Sequence, residues 1–106
     1  MSKNIKIFIA DDHPLLLKGL NEELLINGYN VVGTTVTGTE ALKLIIKLKP
    51  DIAILDIQMP GISGFEVIKK SKIKKVQTKF VLLTSYKEKR FVIRAKTLNI
   101  SGYLLK

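Results

Sequence analysis

The chain has 106 residues and a mass of 11.9 kDa, which suits a single domain of about 100 residues and excludes two domains. Hydrophobic residues make up 46% and charged residues 25%, a composition that is typical of globular proteins and excludes disordered, collagen-like and low-complexity chains. The net charge is +9, no apolar run exceeds four residues, and there is neither an export signal nor a cysteine, so we expect a soluble protein of the cytoplasm.

The first part of the chain predicts a strand followed by a helix. Ile5–Ala10 is a compact, mostly apolar stretch with one lysine, and Pro14 suits the first turn of a helix. Apolar residues then recur at helical spacing along one stripe, namely Leu16, Leu20 and Leu24. Gly28 is placed to end this helix in a left-handed conformation.

A second strand and a second helix follow. The segment Val31–Val36 is rich in β-branched residues, which are enriched in strands. The next helix follows residues 37–39 and is terminated by Pro50. Its inward positions are predicted at Ala41, Ile45 and Leu48.

The remainder of the chain continues the alternation of strands and helices. We predict strands at Ile52–Leu55, Phe80–Leu83 and Gly102–Leu105, and helices at Phe65–Ile73 and Lys87–Leu98. Two of these strands are apolar on both faces, and buried strands that are separated by helices run parallel. The sequence therefore predicts one α/β domain over residues 1–106, with a flavodoxin-like, doubly wound sheet of five parallel strands in the order 2-1-3-4-5.

A fifth helix is missing from this pattern, because the chain ends after the fifth predicted strand. We therefore expect a truncated domain in which the first helix alone covers one face of the sheet. Apolar surface on that face should be exposed or covered by another molecule.

Acidic residues follow two of the predicted strands. Asp11 and Asp12 come directly after the first strand, and Asp56 ends the third. The carboxyl ends of parallel strands open on one edge, so these carboxylates converge if strands one and three are neighbours. Three close carboxylates repel one another and need a counter-ion, and oxygen ligands on loops favour Mg²⁺.

Two further side chains are predicted at the same edge. Thr84 ends the fourth strand, and Lys106 follows the fifth. The set suits phosphoryl transfer to a carboxylate, in which Asp56 attacks, the metal bridges oxygens, and Thr84 and Lys106 balance the charge. Taken singly, each acid is more often a helix cap or turn residue, and only the joint placement favours a functional site.

Two residues near these acids have simpler interpretations. His13 beside Asp11 and Asp12 suggests a metal triad, but Pro14 begins the helix, and we expect His13 to point outward near the N-cap. No glycine-rich phosphate-binding loop accompanies Gly64, so we expect this glycine to allow the chain to enter the helix and to pack closely.

The positive charge is concentrated in one part of the chain. Residues 69–96 hold eleven of the 18 basic residues and one acidic residue. Few aromatic residues are interleaved with them, which favours a solvated face over a nucleic-acid site. An acidic partner surface is an intermediate possibility, and steep salt dependence of any DNA binding would revive the nucleic-acid interpretation.

Four segments together resemble the receiver domain of bacterial two-component response regulators. They are Ile-Phe-Ile-Ala-Asp-Asp-His-Pro (7–14), Asp-Ile-Gln-Met-Pro-Gly-Ile-Ser-Gly (56–64), Leu-Leu-Thr-Ser-Tyr (82–86) and Gly-Tyr-Leu-Leu-Lys (102–106). The resemblance covers the whole chain in the right order. It is greatest to the branch whose receivers precede a LuxR-type helix-turn-helix.

The resemblance implies a phosphoacceptor and a metal site. Asp56 would accept a phosphoryl group from a sensor histidine kinase or a phosphorelay protein. Mg²⁺ would be held by Asp11, Asp12 and Asp56 together with the backbone carbonyl of Gln58.

The resemblance also implies the parts of a conformational switch. Thr84 would be the switch hydroxyl, and Lys106 would pair with the phosphoryl group. Ser85 would offer its backbone N–H to the phosphate. Tyr103 would be the switch aromatic that turns inward when Thr84 moves.

We therefore predict a phosphorylation-activated signalling switch rather than a turnover enzyme, although the domain would assist its own phosphorylation and dephosphorylation. DNA would be bound only through an output domain that this chain lacks, no membrane partner is expected, and a dimer is possible. The alternative is a phosphate-independent protein-binding or dimerisation module of the same fold. A flavodoxin-like cofactor binder is disfavoured, because acids at this edge would repel a phosphate without a metal.

Overall fold

The structure is a computed structural model that describes residues 5–84 and 102–105. For residues 84 and 103–105 it describes the backbone only. Its strands are β1 (Lys6–Ala10), β2 (Asn30–Thr35), β3 (Ile52–Asp56), β4 (Lys79–Thr84) and β5 (Gly102–Leu105). Its described helices are α1 (Pro14–Ile26), α2 (Gly38–Leu48) and α3 (Gly64–Ile73). These elements confirm the predicted strands to within one residue at each end, and the helix predicted at 87–98 lies outside the described residues.

The five strands form one parallel sheet in the predicted order, β2-β1-β3-β4-β5. In the centre of the sheet, Ala10 of β1 lies opposite Leu55 of β3. The next residue along the chain is an aspartate in both cases: Asp11 directly follows β1, and Asp56 is the last residue of β3. The pairing register therefore brings both acids to the carboxyl edge of the sheet. The switch point between β1 and β3 therefore determines where the candidate site lies.

One face of the sheet is covered by α2 and α3. The cluster between them and the sheet includes Phe8, Ile45 and Phe65, which are at most 1% exposed. The predicted inward residues Ala41 and Ile45 are buried in this cluster, and Leu48 packs against it. Burial of several large apolar side chains makes this face the main core.

The other face is covered by α1. On this face, the sheet residues Ile7, Ile9, Ile54 and Leu83 form a second buried cluster and are at most 5% exposed. The helix contributes Leu17, Leu20 and Leu24, so Leu17 rather than the predicted Leu16 packs against the sheet. Neighbouring positions on a helix differ in direction by about 100°. The packing of α1 against the sheet therefore determines which of the two leucines faces inward.

Exposed apolar surface lies on α1 itself. No residue within Pro14–Ile26 is classed as buried, and Leu15 and Ile26 are 84% and 80% exposed. The apolar surface that we expected on this face of the sheet is therefore not found at its buried residues Ile7, Ile9, Ile54 and Leu83, and exposed apolar side chains lie on α1 instead. Among the described helices, none has the length and apolar character needed to cross a bilayer.

Local sequence explains where the helices begin and end. The hydroxyl of Thr37 accepts a hydrogen bond from the Glu40 N–H at 3.2 Å, and the hydroxyl of Ser63 accepts one from the Glu66 N–H at the same distance. Each bond satisfies a backbone donor in the first turn of a helix. Gly28 follows Asn27, the C-cap of α1, and its φ of +87° confirms the predicted left-handed conformation at this end of the helix.

Candidate functional site

Three carboxylates meet at the carboxyl edge of the sheet. One oxygen each of Asp11, Asp12 and Asp56 and a ring nitrogen of His13 all lie within 4.8 Å of one another. Asp11 is fully buried and Asp56 is 5% exposed, whereas the side chain of Asp12 is 35% exposed. The structure thus brings together the three acids that the sequence predicts for the metal site, in a cluster with one solvent-facing side.

Backbone pairing fixes the two buried acids. The N–H of Asp11 donates to the carbonyl of Thr35 at 3.1 Å, which extends the ladder between β1 and β2. Asp56 is the last residue of β3 and lies opposite Leu83 of β4. Both carboxylates are therefore attached to central strands, which hold them more rigidly than a loop would.

The loop that follows Asp56 is held on both sides. The N–H of Gly64 donates to the carbonyl of Ile57 at 2.8 Å, and the N–H of Gly38 donates to the carbonyl of Pro60 at 2.9 Å. A Cβ atom on Gly64 would collide with the carbonyl oxygen of Asp56. Gly64 therefore permits α3 to begin directly against the backbone of Asp56, in agreement with its predicted role in helix entry and close packing.

His13 is turned towards the acids. Its Nδ1 lies 3.0 Å from Asp11 Oδ1 and 3.0 Å from Asp12 Oδ1, and its backbone N–H donates to Asp11 Oδ1 at 2.8 Å. The side chain is nevertheless 64% exposed. The prediction that His13 points outward near the N-cap of α1 agrees with this exposure, but the contact of its ring with both acids was not predicted. Its position directly after Asp11 and Asp12 was the signal for this contact.

Of the other predicted site residues, three are described at least in part and two are not. Gln58 is exposed in the loop after β3, and the backbone of Thr84 ends β4 beside Leu105 of β5. The backbone of Tyr103 pairs with Leu82. Ser85 and Lys106 lie outside the described residues, so the roles of all five residues stay predictions.

The donor set of this cluster fits a divalent cation. Carboxylate oxygens are the ligands preferred by hard divalent ions, and a cation offsets the repulsion among three neighbouring negative charges. The need is greatest for Asp11 and Asp56, because burial makes an uncompensated charge costly. The exposed side of the cluster, formed by Asp12 and His13, gives an ion access from solvent.

A pocket of about 610 Å³ lies at the opposite edge of the sheet. It is lined by residues at the amino-terminal ends of β3 and β4 and in the loops before them, including Lys49, Asp51, Lys75 and Lys79. None of the acids described above contributes to it.

Comparison with known proteins identifies the family. The family model for the response regulator receiver domain matches residues 7–106. The response regulator GacA of Pseudomonas aeruginosa is 37% identical over 103 residues, which are 96% of this chain and 48% of that protein. The chain spans about half the length of the curated relatives it matches.

Solved structures show the same likeness. A DNA-binding response regulator of the LuxR family from Staphylococcus aureus superposes with a TM-score of 0.91 at 28% identity, covering 95% of this chain and 85% of that one. RcsB from Salmonella enterica serovar Typhimurium superposes with a TM-score of 0.86 at 32% identity, covering 97% and 60%. Together with the acids at the β1–β3 switch point, these matches show that the chain belongs to the response regulator receiver domains of two-component systems, among relatives of the LuxR type.

Proposed function

We propose that this chain is a cytoplasmic, phosphorylation-activated signalling switch that accepts a phosphoryl group on Asp56. The donor would be a sensor histidine kinase or a phosphorelay protein. The observation that carries the proposal is the position of Asp56 at the end of β3, with its carboxylate in a cluster with Asp11 and Asp12. Membership of the receiver family supports the same role.

The acidic cluster would hold Mg²⁺. Its ligands would be carboxylate oxygens of Asp11, Asp12 and Asp56 and the backbone carbonyl of Gln58. When bound, Mg²⁺ supplies positive charge that offsets the negative charge of the carboxylates and of the phosphoryl oxygens. Asp11 and Asp56 are attached to strands, so the chain presents these ligands without a large rearrangement.

Asp56 would act as the nucleophile. One of its carboxylate oxygens attacks the phosphorus atom of the donor and forms an acyl phosphate. With a phosphohistidine donor, the P–N bond breaks, and the ring nitrogen keeps the bonding electrons and takes up a proton. Close packing of Gly64 against the Asp56 carbonyl fixes the backbone from which this carboxylate is presented.

The phosphoryl group would then trigger the switch. Thr84 and Lys106 would bind its oxygens, and the backbone N–H of Ser85 would donate to another. Movement of Thr84 would let Tyr103 turn inward and remodel the predicted fourth helix and β5. In a longer regulator this change would act on a DNA-binding output domain; the RcsB structure was determined on a promoter in the presence of the phosphomimetic BeF3⁻.

Intact-mass spectrometry after incubation with a small phosphodonor tests the proposal. We expect the chain to gain one phosphoryl group in Mg²⁺ and none in a chelator, and we expect Asp56→Asn to gain none. Asp51→Asn is the matched control, because Asp51 is an exposed aspartate at the opposite edge of the sheet. Continued phosphorylation of Asp56→Asn, or no modification of the unaltered chain in Mg²⁺, would overturn the proposal.

A phosphate-independent binding or dimerisation module is the second candidate. The exposed apolar side chains of Leu15 and Ile26 on α1 favour it. This candidate predicts self-association that does not depend on Mg²⁺ or a phosphodonor, and sedimentation velocity measures it directly.

A further inference from the structure

We infer that His13 is a ligand for first-row transition-metal ions in the acidic cluster, which raises the affinity of the site for ions such as Mn²⁺ and Zn²⁺ relative to its affinity for Mg²⁺. The inference rests on the proposed function, because it takes Asp11, Asp12 and Asp56 as ligands of a divalent cation. It concerns the identity of that cation rather than the phosphoacceptor.

The distances around His13 match the edges of a coordination shell. Two ligands at right angles around an ion, each with a bond of about 2.1 Å, lie about 3.0 Å apart. Nδ1 of His13 lies 3.0 Å from Asp11 Oδ1 and 3.0 Å from Asp12 Oδ1. Without an ion, Nδ1 carries a hydrogen and donates to these carboxylates. An ion would bind the tautomer that carries its hydrogen on Nε2, and it would then take the place of the Nδ1 hydrogen between the nitrogen and the two carboxylates.

The fourth member of the cluster is compatible with the same shell. Opposite ligands with bonds of about 2.1 Å are about 4.2 Å apart. The ligand atoms of Asp11, Asp12, His13 and Asp56 all lie within 4.8 Å of one another. Small adjustments of the more exposed side chains, Asp12 and His13, would bring the four atoms to bonding distance.

The backbone places His13 before any ion arrives. Its N–H donates to Asp11 Oδ1 at 2.8 Å, and Pro14 begins α1 at the next residue. A residue held in this way loses little conformational freedom when its ring binds a metal. Because the side chain is 64% exposed, an ion can reach the nitrogen from solvent.

The nitrogen ligand changes the preference of the site among divalent ions. Mg²⁺ prefers oxygen ligands, whereas imidazole suits the transition metals, whose affinities for such ligands rise along the series from Mn²⁺ to Cu²⁺ and stay high at Zn²⁺. His13 should therefore contribute more to Zn²⁺ and Mn²⁺ binding than to Mg²⁺ binding. A cluster with oxygen ligands alone would lack this added preference for Zn²⁺ and Mn²⁺ over Mg²⁺.

Electron spin-echo envelope modulation of bound Mn²⁺ tests the ligand directly. His13 is the one histidine of the sequence, so in a tag-free chain any imidazole ¹⁴N coupling to Mn²⁺ must come from it. We expect this coupling in the unaltered chain and its loss in His13→Gln. Bound Mn²⁺ without imidazole coupling in the unaltered chain would overturn the inference.

A competition experiment tests the selectivity. Zn²⁺ affinity is measured against a chromogenic chelator, and Mg²⁺ affinity by displacement of Mn²⁺. We expect His13→Gln to lower the ratio of Zn²⁺ to Mg²⁺ affinity by about tenfold. Asp51→Asn, at the opposite edge, should keep the ratio, and an unchanged ratio in His13→Gln would contradict the inference.

The two proposals fail separately. The nitrogen coupling is measured without a phosphodonor, whereas modification of Asp56 is measured on the unaltered chain in Mg²⁺. Phosphorylation without imidazole coupling leaves the proposed function standing and removes His13 as a ligand. Imidazole coupling without phosphorylation of Asp56 would keep His13 as a metal ligand and would remove the proposed function.

Discussion

At the scale of single residues, the candidate site depends on close backbone contacts as much as on its acids. Gly64 begins α3 directly against the carbonyl of Asp56, at a distance that no Cβ atom would tolerate. The N–H of Gly64 also donates to the carbonyl of Ile57. A side chain at this position would therefore displace either the end of β3 or the start of α3.

We predict that Gly64→Ala destabilises the domain by about 1–3 kcal/mol, because the added methyl group overpacks a buried backbone contact. Urea unfolding followed by circular dichroism measures the change. Gly19→Ala is the matched control, since Gly19 lies in α1 with open space around its Cα. There alanine should stabilise the helix by about 0.5–1 kcal/mol, and equal effects of the two substitutions would contradict the prediction.

At the scale of elements, the helices next to the site are positioned by their first turns. Ser63 caps α3, which starts where the loop after Asp56 ends. Thr37 caps α2, and Gly38, the first residue of α2, donates its N–H to Pro60 in the same loop. The two caps therefore connect helix stability with the geometry of the loop.

We predict that Ser63→Ala lowers the free energy of unfolding by about 1 kcal/mol, because the Glu66 N–H loses its hydroxyl acceptor. Ser63→Gly should cost only a few tenths of a kcal/mol, since glycine leaves the end of the helix open to water. The same denaturant titration distinguishes the two variants. Equal losses would mean that the hydroxyl contributes through something other than the cap.

At the scale of the whole molecule, the two faces of the sheet are not equivalent. The face under α2 and α3 has fully buried side chains from both the sheet and the helices. The face under α1 has buried sheet residues, but the helix residues that cover them are only partly buried. The first face should therefore contribute more to stability for each side chain.

We predict that Ile45→Ala on α2 costs about 2–5 kcal/mol, the range for a fully buried aliphatic side chain, and that Leu20→Ala on α1 costs less than half as much. The reason is that the second deletion removes less buried surface and leaves a smaller cavity. Equilibrium unfolding of both variants measures the difference. Equal costs would show that the α1 face is packed as tightly as the other.

Most of the fold follows from local patterns in the sequence. Apolar strands without alternation required a sheet that is covered on both faces, and the intervening helices required parallel strands. The acids could be placed for the same reason, because Asp11 and Asp56 follow strands whose carboxyl ends share an edge. Periodicity could not determine whether Leu16 or Leu17 faces the sheet, since both fit a stripe at helical spacing.

The sequence by itself thus determined the order of the elements, the edge where the acids meet and the candidates for their chemistry, because each depends on residue type and spacing along the chain. The tertiary structure decided that His13 faces both Asp11 and Asp12, and that Gly64 lies against the backbone of Asp56. Side-chain direction and close approach depend on the packing of whole elements against one another. Such packing is fixed only when strands distant in sequence, such as β1 and β3, have paired in one register.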